Sequence, residues 1–268
     1  MYLREIERSK KKPTSDLTAY DCFLRAQTYL REFRAPSYAQ AEALLRQAIS
    51  IDPEYSTALA YLADCIGRQC IFGGRPYKEG TIEAEEIAQR AVQADPEDAA
   101  ALAIASWVLT ILLGKHAQSR EYGELALRLH PNSAFVCTNS AFGYLYRGEL
   151  EAARRYFERA LRINPLDPRN YFIIQGLGLA SFYEKKFEEA LPLLIRSTEL
   201  APTARITWRY RAATLGHLGR VEEAREAVAV LRTLTPVQTL QEISDRTMLA
   251  HTWMRELYIG GLEKAGYE

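Results

Sequence analysis

The sequence predicts an all-α protein, a right-handed superhelical solenoid of about six helix-turn-helix repeat units followed by C-terminal capping helices. Three observations support this prediction. A proline recurs at a nearly constant spacing, the residues beside each proline follow the 3.6-residue period of a helix, and 48% of the 268 residues are hydrophobic. A chain of this composition can bury a core, which excludes a disordered chain.

Six prolines divide the chain into repeat units. They are Pro53, Pro96, Pro131, Pro165, Pro202 and Pro236, and the intervals between them are 43, 35, 34, 37 and 34 residues. Proline lacks the amide that a continuing helix needs and moves the preceding residue out of the helical region, so we expect a helix to end at each of them. We therefore place the repeat array at residues 16–236.

Helical patterns on both sides of each proline complete the repeat unit. Before Pro165, for example, Ala153, Phe157 and Ala160 follow helical spacing, and the small residues among them allow a neighbouring helix to approach closely. A second helical pattern begins after each proline. The repeat unit is therefore predicted to be a helix, a turn and a second helix.

One interval departs from the period. The 43-residue interval carries nine extra residues relative to 34, and we assign them to the segment 67–80, GRQCIFGGRPYKEG. Its glycines and proline predict a long loop between the two helices of the second repeat unit. The apolar stretch Ala99–Leu113 has fifteen residues, fewer than the roughly twenty that a membrane span requires. We expect a buried helix there.

The period lapses after Pro236. Two helical stretches follow, near Thr239–Ser244 and Arg246–Glu263. Because a stack of repeats must hide its terminal apolar face from water, we assign residues 237–268 to capping helices. A separate binding element is the alternative interpretation of this region.

The most complete repeat unit resembles a known family. Residues 134–165 contain Ala141, Tyr144, Gly148, Ala153, Phe157, Ala160 and Pro165, and the unit that ends at Pro236 adds Trp208, Gly219 and Ala224. This pattern resembles the tetratricopeptide repeat (TPR). The resemblance implies a module that binds a protein or peptide segment, with the first helix of each pair on the inner face of the solenoid.

The two ends of the sequence resemble a narrower group. The matching residues are Lys12, Pro13, Leu17, Ala19, Tyr20 and Asp21 at the start, and Gly261, Leu262, Lys264, Ala265 and Gly266 at the end. They are similar to the C-terminal TPR region of bacterial multidomain proteins that begin with a class III adenylate or guanylate cyclase domain, or with a winged-helix domain. The resemblance implies that residues 1–15 are a linker from a missing upstream domain and that the chain is a regulatory part of a signalling protein. A winged-helix regulator's effector-sensing region and a free-standing adaptor are the alternatives.

Several other functions are not supported by the sequence. The 34 basic and 34 acidic residues cancel, so no net field draws the chain toward nucleic acid or an anionic membrane. We find no phosphate-binding glycine loop, and the four histidines lack the spacing of a helical zinc site. We therefore expect no catalytic residues, no metal and no cofactor in this region. The four cysteines fit a reducing compartment and the N-terminus lacks an apolar signal segment, which predicts a cytoplasmic protein.

The first helices supply the candidate site, which we expect to be a concave groove. Counting away from the packing positions, we assign to it Trp107, Phe135, Asn139, Phe142, Tyr146, Phe172, Gln175, Arg209 and Tyr210. The aromatic residues are expected to anchor an apolar peptide or helix, and the amides to bond its backbone. The ligand is a partner protein or a segment of an upstream domain of the same chain. The alternative is that these aromatics fill the superhelix or are covered by the C-terminal helices.

Overall fold

The computed structural model describes residues 16–30, 32, 35–72, 74–167, 170–234 and 238–267. These described residues form fourteen α-helices and contain no β-strand, so the all-α prediction is confirmed. The helices are α1 (Leu17–Leu30), α2 (Ala35–Ile51), α3 (Ser56–Phe72), α4 (Tyr77–Ala94), α5 (Ala99–Ile111), α6 (His116–Leu129), α7 (Ala134–Tyr146), α8 (Leu150–Ile163), α9 (Asn170–Tyr183), α10 (Phe187–Leu200), α11 (Arg205–His217), α12 (Val221–Leu234), α13 (Leu240–Asp245) and α14 (Thr252–Lys264). The linker predicted for residues 1–15 and the last repeat proline, Pro236, lie outside the described residues.

The chain divides into two compact units, one up to Val108 and one from Leu109 onward. The first contains α1–α4 and most of α5, and the second contains the end of α5 and α6–α14. In the first unit α1 packs on α2 and α3 on α4. In the second, α7 packs on α8, α9 on α10 and α11 on α12. The predicted helix-turn-helix pairs are therefore present in both units.

The prolines between helix pairs lie in one recurring turn. The residue before each proline accepts a hydrogen bond from the amide three residues later. The five bonds run from Tyr55 to Asp52 (3.2 Å), from Asp98 to Asp95 (3.2 Å), from Ser133 to His130 (3.3 Å), from Asp167 to Asn164 (3.4 Å) and from Ala204 to Ala201 (3.0 Å). Proline suits the second position of such a turn because its fixed φ matches the value required there. The turns explain why the prolines recur at the period of the helix pairs.

The apolar stretch that we expected to be a buried helix forms α5. Leu102, Ile104 and Val108 on this helix are at most 1% exposed. The carboxylate of Asp98 accepts hydrogen bonds from the amides of Ala100 and Ala101, at 2.9 and 3.1 Å, and so satisfies two donors at the start of the helix. No helix in the described part of the chain combines the length and the apolar content that a membrane crossing requires.

The predicted long loop at residues 67–80 is wrong. Helix α3 continues to Phe72 and α4 begins at Tyr77, so the extra residues lengthen the two helices to 17 and 18 residues. Tertiary contacts stabilise this arrangement. The guanidinium of Arg75 donates to Glu42 of α2 at 2.6 Å and to Glu83 of α4, and Gly80 allows the Cys70 thiol to lie against the backbone of α4.

The C-terminal region holds two helices, as expected, but the second is shorter than predicted. Thr239 and Glu242 form a reciprocal capping box at the start of α13, with the Glu242 amide 3.2 Å from the Thr239 hydroxyl. Helix α14 begins only at Thr252, because residues 246–251 are non-helical and extend along other parts of the chain. The assignment of residues 237–268 to a capping role stays a prediction.

The turn inside several helix pairs depends on a left-handed residue at the end of the first helix. Gly114, Gly148 and Gly219 have φ of 63°, 77° and 68°, and Lys185 takes the same conformation with φ of 60°. After α9 the amide of Lys186 bonds the Ser181 carbonyl at 2.9 Å, the bond that closes this kind of helix end. Lys185 therefore occupies a position that favours glycine, because a Cβ strains the left-handed conformation.

Replacing Lys185 with glycine is expected to stabilise the protein by about 1 kcal/mol, because the strain of the left-handed side chain is removed. Urea unfolding measures the change as a higher midpoint at constant m-value. Lys185→Ala is the matched control, since it removes the same charge but keeps a Cβ, and it is expected to give no such gain. Equal midpoints for the glycine and alanine variants would contradict the prediction.

Candidate interaction surface of the first helices

The end of the chain folds back onto the first helices of the second compact unit. We call the face formed by α7, α9 and α11 the first-helix surface, and residues 247–267 the C-terminal segment. Helix α14 packs on α11, the ring of Trp253 meets the ring of Tyr183 edge to face at 6.1 Å, and the Ala250 amide donates to the Tyr146 carbonyl at 3.0 Å. The C-terminal segment therefore touches all three first helices.

The backbones of α11 and α14 approach closely at two glycines. A Cβ added to Gly216 would lie 2.3 Å from the Gly261 carbonyl oxygen, and one added to Gly261 would lie 2.8 Å from the Ala213 carbonyl oxygen. Both distances are too short for a real Cβ, so neither position accepts a side chain without a shift of the helices. Nε2 of His217 also donates to the Leu257 carbonyl at 2.8 Å. Helix α14 is fixed on α11 by backbone contact.

An aromatic cluster lies beside this contact. The rings of Tyr210 and Tyr258 stack at 4.3 Å with an interplanar angle of 13°, and the hydroxyls of Tyr210 and Tyr183 are 2.5 Å apart. Tyr210 and Tyr258 are each 2% exposed. Burial raises the pKa of Tyr183 and Tyr210 well above the ordinary value, so both hydroxyls stay protonated and can donate.

The non-helical residues at the start of the C-terminal segment contact the residues that directly follow α7 and α5, each the first helix of its pair. Nε2 of His251 donates to the Arg147 carbonyl at 3.0 Å, directly after α7. His251 also lies against Gly148, where a Cβ would be 2.8 Å from the imidazole ring. The Met248 side chain lies 3.6 Å from the Cβ position of Gly114, after α5. The positive-φ glycines thus leave room for the C-terminal segment as well as closing the turns.

The structure brings Tyr146, Arg209 and Tyr210 together with the C-terminal segment. Tyr146 is 7% exposed and accepts a backbone bond from it. Arg209 donates to the side chain of Gln238, and its positive charge lies close to the hydroxyl of Tyr258. These three predicted site residues therefore contact polypeptide, and that polypeptide belongs to the same chain.

Phe142 lies in the interior of the second compact unit. It is 3% exposed, stacks on Phe172 at 4.2 Å and meets the edge of Phe157 at 4.9 Å. Gly176 makes this packing possible, since a Cβ there would lie 2.2 Å from Phe157.

The two amides assigned to the site are also buried. Asn139 is 4% exposed, and its amide donates to the Phe135 carbonyl of its own helix at 2.9 Å. Gln175 is likewise 4% exposed. The rings of Phe135 and Phe172 are half-buried. Among the predicted residues of α7 and α9, these two rings remain partly open to solvent.

Trp107 belongs to the first compact unit and is 2% exposed. The guanidinium of Arg68 lies over its ring at 4.9 Å, and Nε of Arg68 donates to the Asp64 carboxylate at 2.8 Å. Asp64 thus positions the cation that covers Trp107.

Sequence reasoning missed Tyr183, Trp253 and Tyr258, which form much of the contact. One feature of the sequence indicates that α14 packs closely on another helix. The closing segment carries a Gly260–Gly261 pair inside a helix, and glycine in a helix interior often marks a close approach of another backbone.

The described residues contain no group of three or more His, Cys, Asp or Glu side chains arranged to hold a metal ion. The four cysteines are free and buried.

Comparison with known proteins agrees with the helix-pair architecture. The tetratricopeptide repeat family model matches residues 134–167, which contain α7 and α8. A comparison with curated protein sequences gives no match.

Solved structures of TPR type share the fold. PilW, a widely conserved type IV pilus biogenesis factor, is 19% identical over 82% of this chain and 94% of its own, with a TM-score of 0.56. Human IFIT1, solved as a dimer with PPP-AAAA, is 20% identical over 80% of this chain with a TM-score of 0.61, and the chain covers 49% of its length. A tetratricopeptide repeat protein from Parabacteroides merdae is 14% identical over 92% of this chain and 100% of its own, with a TM-score of 0.50. The chain therefore contains a tetratricopeptide repeat at residues 134–167, and its fold of helix-turn-helix pairs is similar to the folds of these solved structures.

Gly261→Ala is expected to destabilise the protein by about 1–3 kcal/mol, because the added methyl overlaps the Ala213 carbonyl and displaces α14. Gly260→Ala is the matched control. Its Cβ meets no atom within 4 Å, so it is expected to be neutral or stabilising through its higher helix propensity. Thermal unfolding followed by circular dichroism measures both variants. If the two variants unfold at the same temperature, the close contact of α11 and α14 is not formed in solution.

Proposed function

We propose that this chain is a protein-interaction module that binds a peptide or helical segment of a partner protein on its first-helix surface. In the free protein the C-terminal segment occupies that surface and must be displaced by the partner. The observation that carries this proposal is the contact of Tyr146, Arg209 and Tyr210 with the chain's own C-terminal segment. A surface that offers a backbone acceptor, a guanidinium and an aromatic platform to one polypeptide has the chemistry to hold another.

The predicted site residues form two groups, according to whether release of the C-terminal segment makes them accessible. Tyr146, Arg209 and Tyr210 become accessible when the C-terminal segment leaves, and the half-buried rings of Phe135 and Phe172 extend the same surface along α7 and α9. A second group stays in the interior, with Trp107 in the first compact unit and the other three residues in the second. It comprises Trp107, Asn139, Phe142 and Gln175.

Within a larger protein, this module acts as the regulatory C-terminal part of a bacterial cytoplasmic signalling protein of the adenylate or guanylate cyclase type. The motifs at the two ends of the sequence support this placement. The motif at the C-terminal end also has a structural role. The amide of Tyr267 bonds the Leu262 carbonyl at 3.0 Å and Gly266 is left-handed, with φ of 76°, so the Gly-Leu-x-Lys-Ala-Gly motif ends α14 and buries Tyr267. The effector-sensing region of a winged-helix regulator is supported by the same motifs.

A free-standing adaptor is the second candidate function. The likeness to PilW favours it, because that pilus biogenesis factor matches this chain over 94% of its own length. The reading frame upstream of residue 1 distinguishes the three settings. A cyclase domain there supports the first, a winged helix the second, and an absence of upstream coding sequence the adaptor.

A synthetic, fluorescently labelled peptide of residues 247–267 tests whether the first-helix surface binds polypeptide in trans. In the wild-type protein the covalently attached segment competes at a high effective concentration, so weak binding is expected. Gly261→Ala loosens the attached segment and is expected to bind the peptide at least about tenfold more tightly, which corresponds to 1.4 kcal/mol. Fluorescence anisotropy measures both affinities.

Two further variants complete this experiment. Gly260→Ala is expected to bind the peptide as weakly as the wild type. Gly261→Ala combined with Tyr210→Ala is expected to lose the gain, since the aromatic platform for Tyr258 is removed. Equal affinity for the wild type and Gly261→Ala would contradict the proposal.

A further inference from the structure

None of the three arginines on α11 forms an ion pair with a carboxylate among the described residues. The charge of Glu223 acts on Arg211, whereas Arg205 and Arg209 repel each other. Arg205 is only 5% exposed, and Arg209, one helical turn later, is half-buried. In the part of the chain that the structure describes, neither guanidinium forms an ion pair with a carboxylate. Four arginines elsewhere each have a carboxylate oxygen within 2.9 Å. These pairs are Arg68–Asp64, Arg75–Glu42, Arg147–Glu149 and Arg154–Glu184.

Neutral oxygens supply the contacts of Arg205 and Arg209. The Oε1 atom of Gln238 accepts from Nη2 of Arg205 at 2.8 Å and from Nη2 of Arg209. The Tyr258 hydroxyl lies close to Arg209. The Nε atoms of both arginines are buried and have no hydrogen-bond partner among the described residues. Two cations thus share one amide oxygen and leave donors unused.

This arrangement of two arginines has an energetic cost. A buried charge is destabilising unless an opposite charge and hydrogen bonds compensate for it. Burial, together with repulsion from Arg209, lowers the pKa of Arg205 to about 10, and the group therefore remains charged at pH 7. The acidic residues of α13 bond within their own helix, with Glu242 closing its cap and Asp245 accepting from Gln241 at 2.7 Å.

We propose that Arg205 and Arg209 form a binding site for a small oxyanion, either a carboxylate or a phosphate. Guanidinium groups present planar sets of N–H donors that match the oxygens of these anions, and the unused Nε atoms supply such donors here. Because Gln238 bonds both arginines and Tyr258 lies close to Arg209, the bound anion neutralises the positive charge that lies between α11 and the C-terminal region. Occupancy therefore holds Tyr258 and α14 on the first-helix surface.

The test is thermal unfolding in sodium phosphate, in sodium citrate and in sodium chloride at matched ionic strength. The wild type is expected to show a saturable rise of about 3 °C in phosphate, citrate or both relative to chloride, because a ligand that binds only the folded state stabilises it. A larger rise in one salt identifies phosphate or carboxylate as the natural chemistry. Isothermal titration calorimetry with the more effective salt is expected to give one site per chain.

Substitutions separate the proposed site from non-specific salt effects. Arg209→Gln is expected to lose the rise. Arg225→Gln is the control and keeps it, because Arg225 is an exposed arginine on α12 that pairs with Glu222 at 2.7 Å. Arg205→Met loses the rise but unfolds in chloride at or above the wild-type temperature, since an uncompensated buried charge is replaced by an apolar side chain of similar length.

Three outcomes would overturn the proposal. They are an absence of any rise in the wild type, an equal rise in Arg209→Gln, and a loss of stability in Arg205→Met with the phosphate and citrate response retained. A rise that occurs only in Glu268→Gln would also overturn it, since a carboxylate of the chain itself would then be the occupant.

Discussion

The close approach of α11 and α14 at Gly216 and Gly261 is the contact on which the arrangement of the first-helix surface depends. Because neither position has a side chain, the two backbones approach to a distance that a methyl group at either glycine prevents. This contact brings Tyr258 over Tyr210 and directs the start of the C-terminal segment toward Tyr183 and Tyr146. A small change in α14 therefore alters contacts along three first helices.

The same contact links the stability of the protein to the accessibility of its surface. The C-terminal segment buries aromatic rings that a partner segment could use, so release exposes Tyr210 and Tyr146 and costs the free energy of their packing. A partner has to supply this free energy from its own contacts with the surface. Uncompensated positive charge at Arg205 and Arg209 lies beside this contact. The stability of the contact between α14 and α11 therefore depends on the local electrostatics as well as on packing.

Much of the repeat architecture could be predicted from the sequence because its determinants are local. Proline fixes the turn between helix pairs, and small residues at helical spacing determine where helices approach. Local reasoning failed at residues 67–80, where Gly73, Gly74 and Pro76 indicate a loop. Contacts of Arg75 with Glu42 and Glu83 stabilise the longer helices, and such contacts are invisible in a local pattern.

The site could be predicted only in part for a related reason. Helical spacing assigns Tyr146, Arg209 and Tyr210 to the first helices, but it carries no information about what covers these residues. His251 and Arg147 are 104 positions apart in the sequence, and no period connects residues 247–267 with the repeats. For Phe142 and Asn139, burial depends on neighbouring helices and on a glycine at position 176, so their orientation could not be deduced from α7 alone.

Hydrogen–deuterium exchange across residues 247–267 tests most directly whether the C-terminal segment occupies the first-helix surface. Occupancy predicts that the Ala250 amide and the amides of α14 are protected in the free protein, and that a trans peptide of residues 247–267 lowers this protection while α11 stays protected. Exchange of residues 247–267 at the rate of an unstructured chain, with α11 fully protected, would contradict the account.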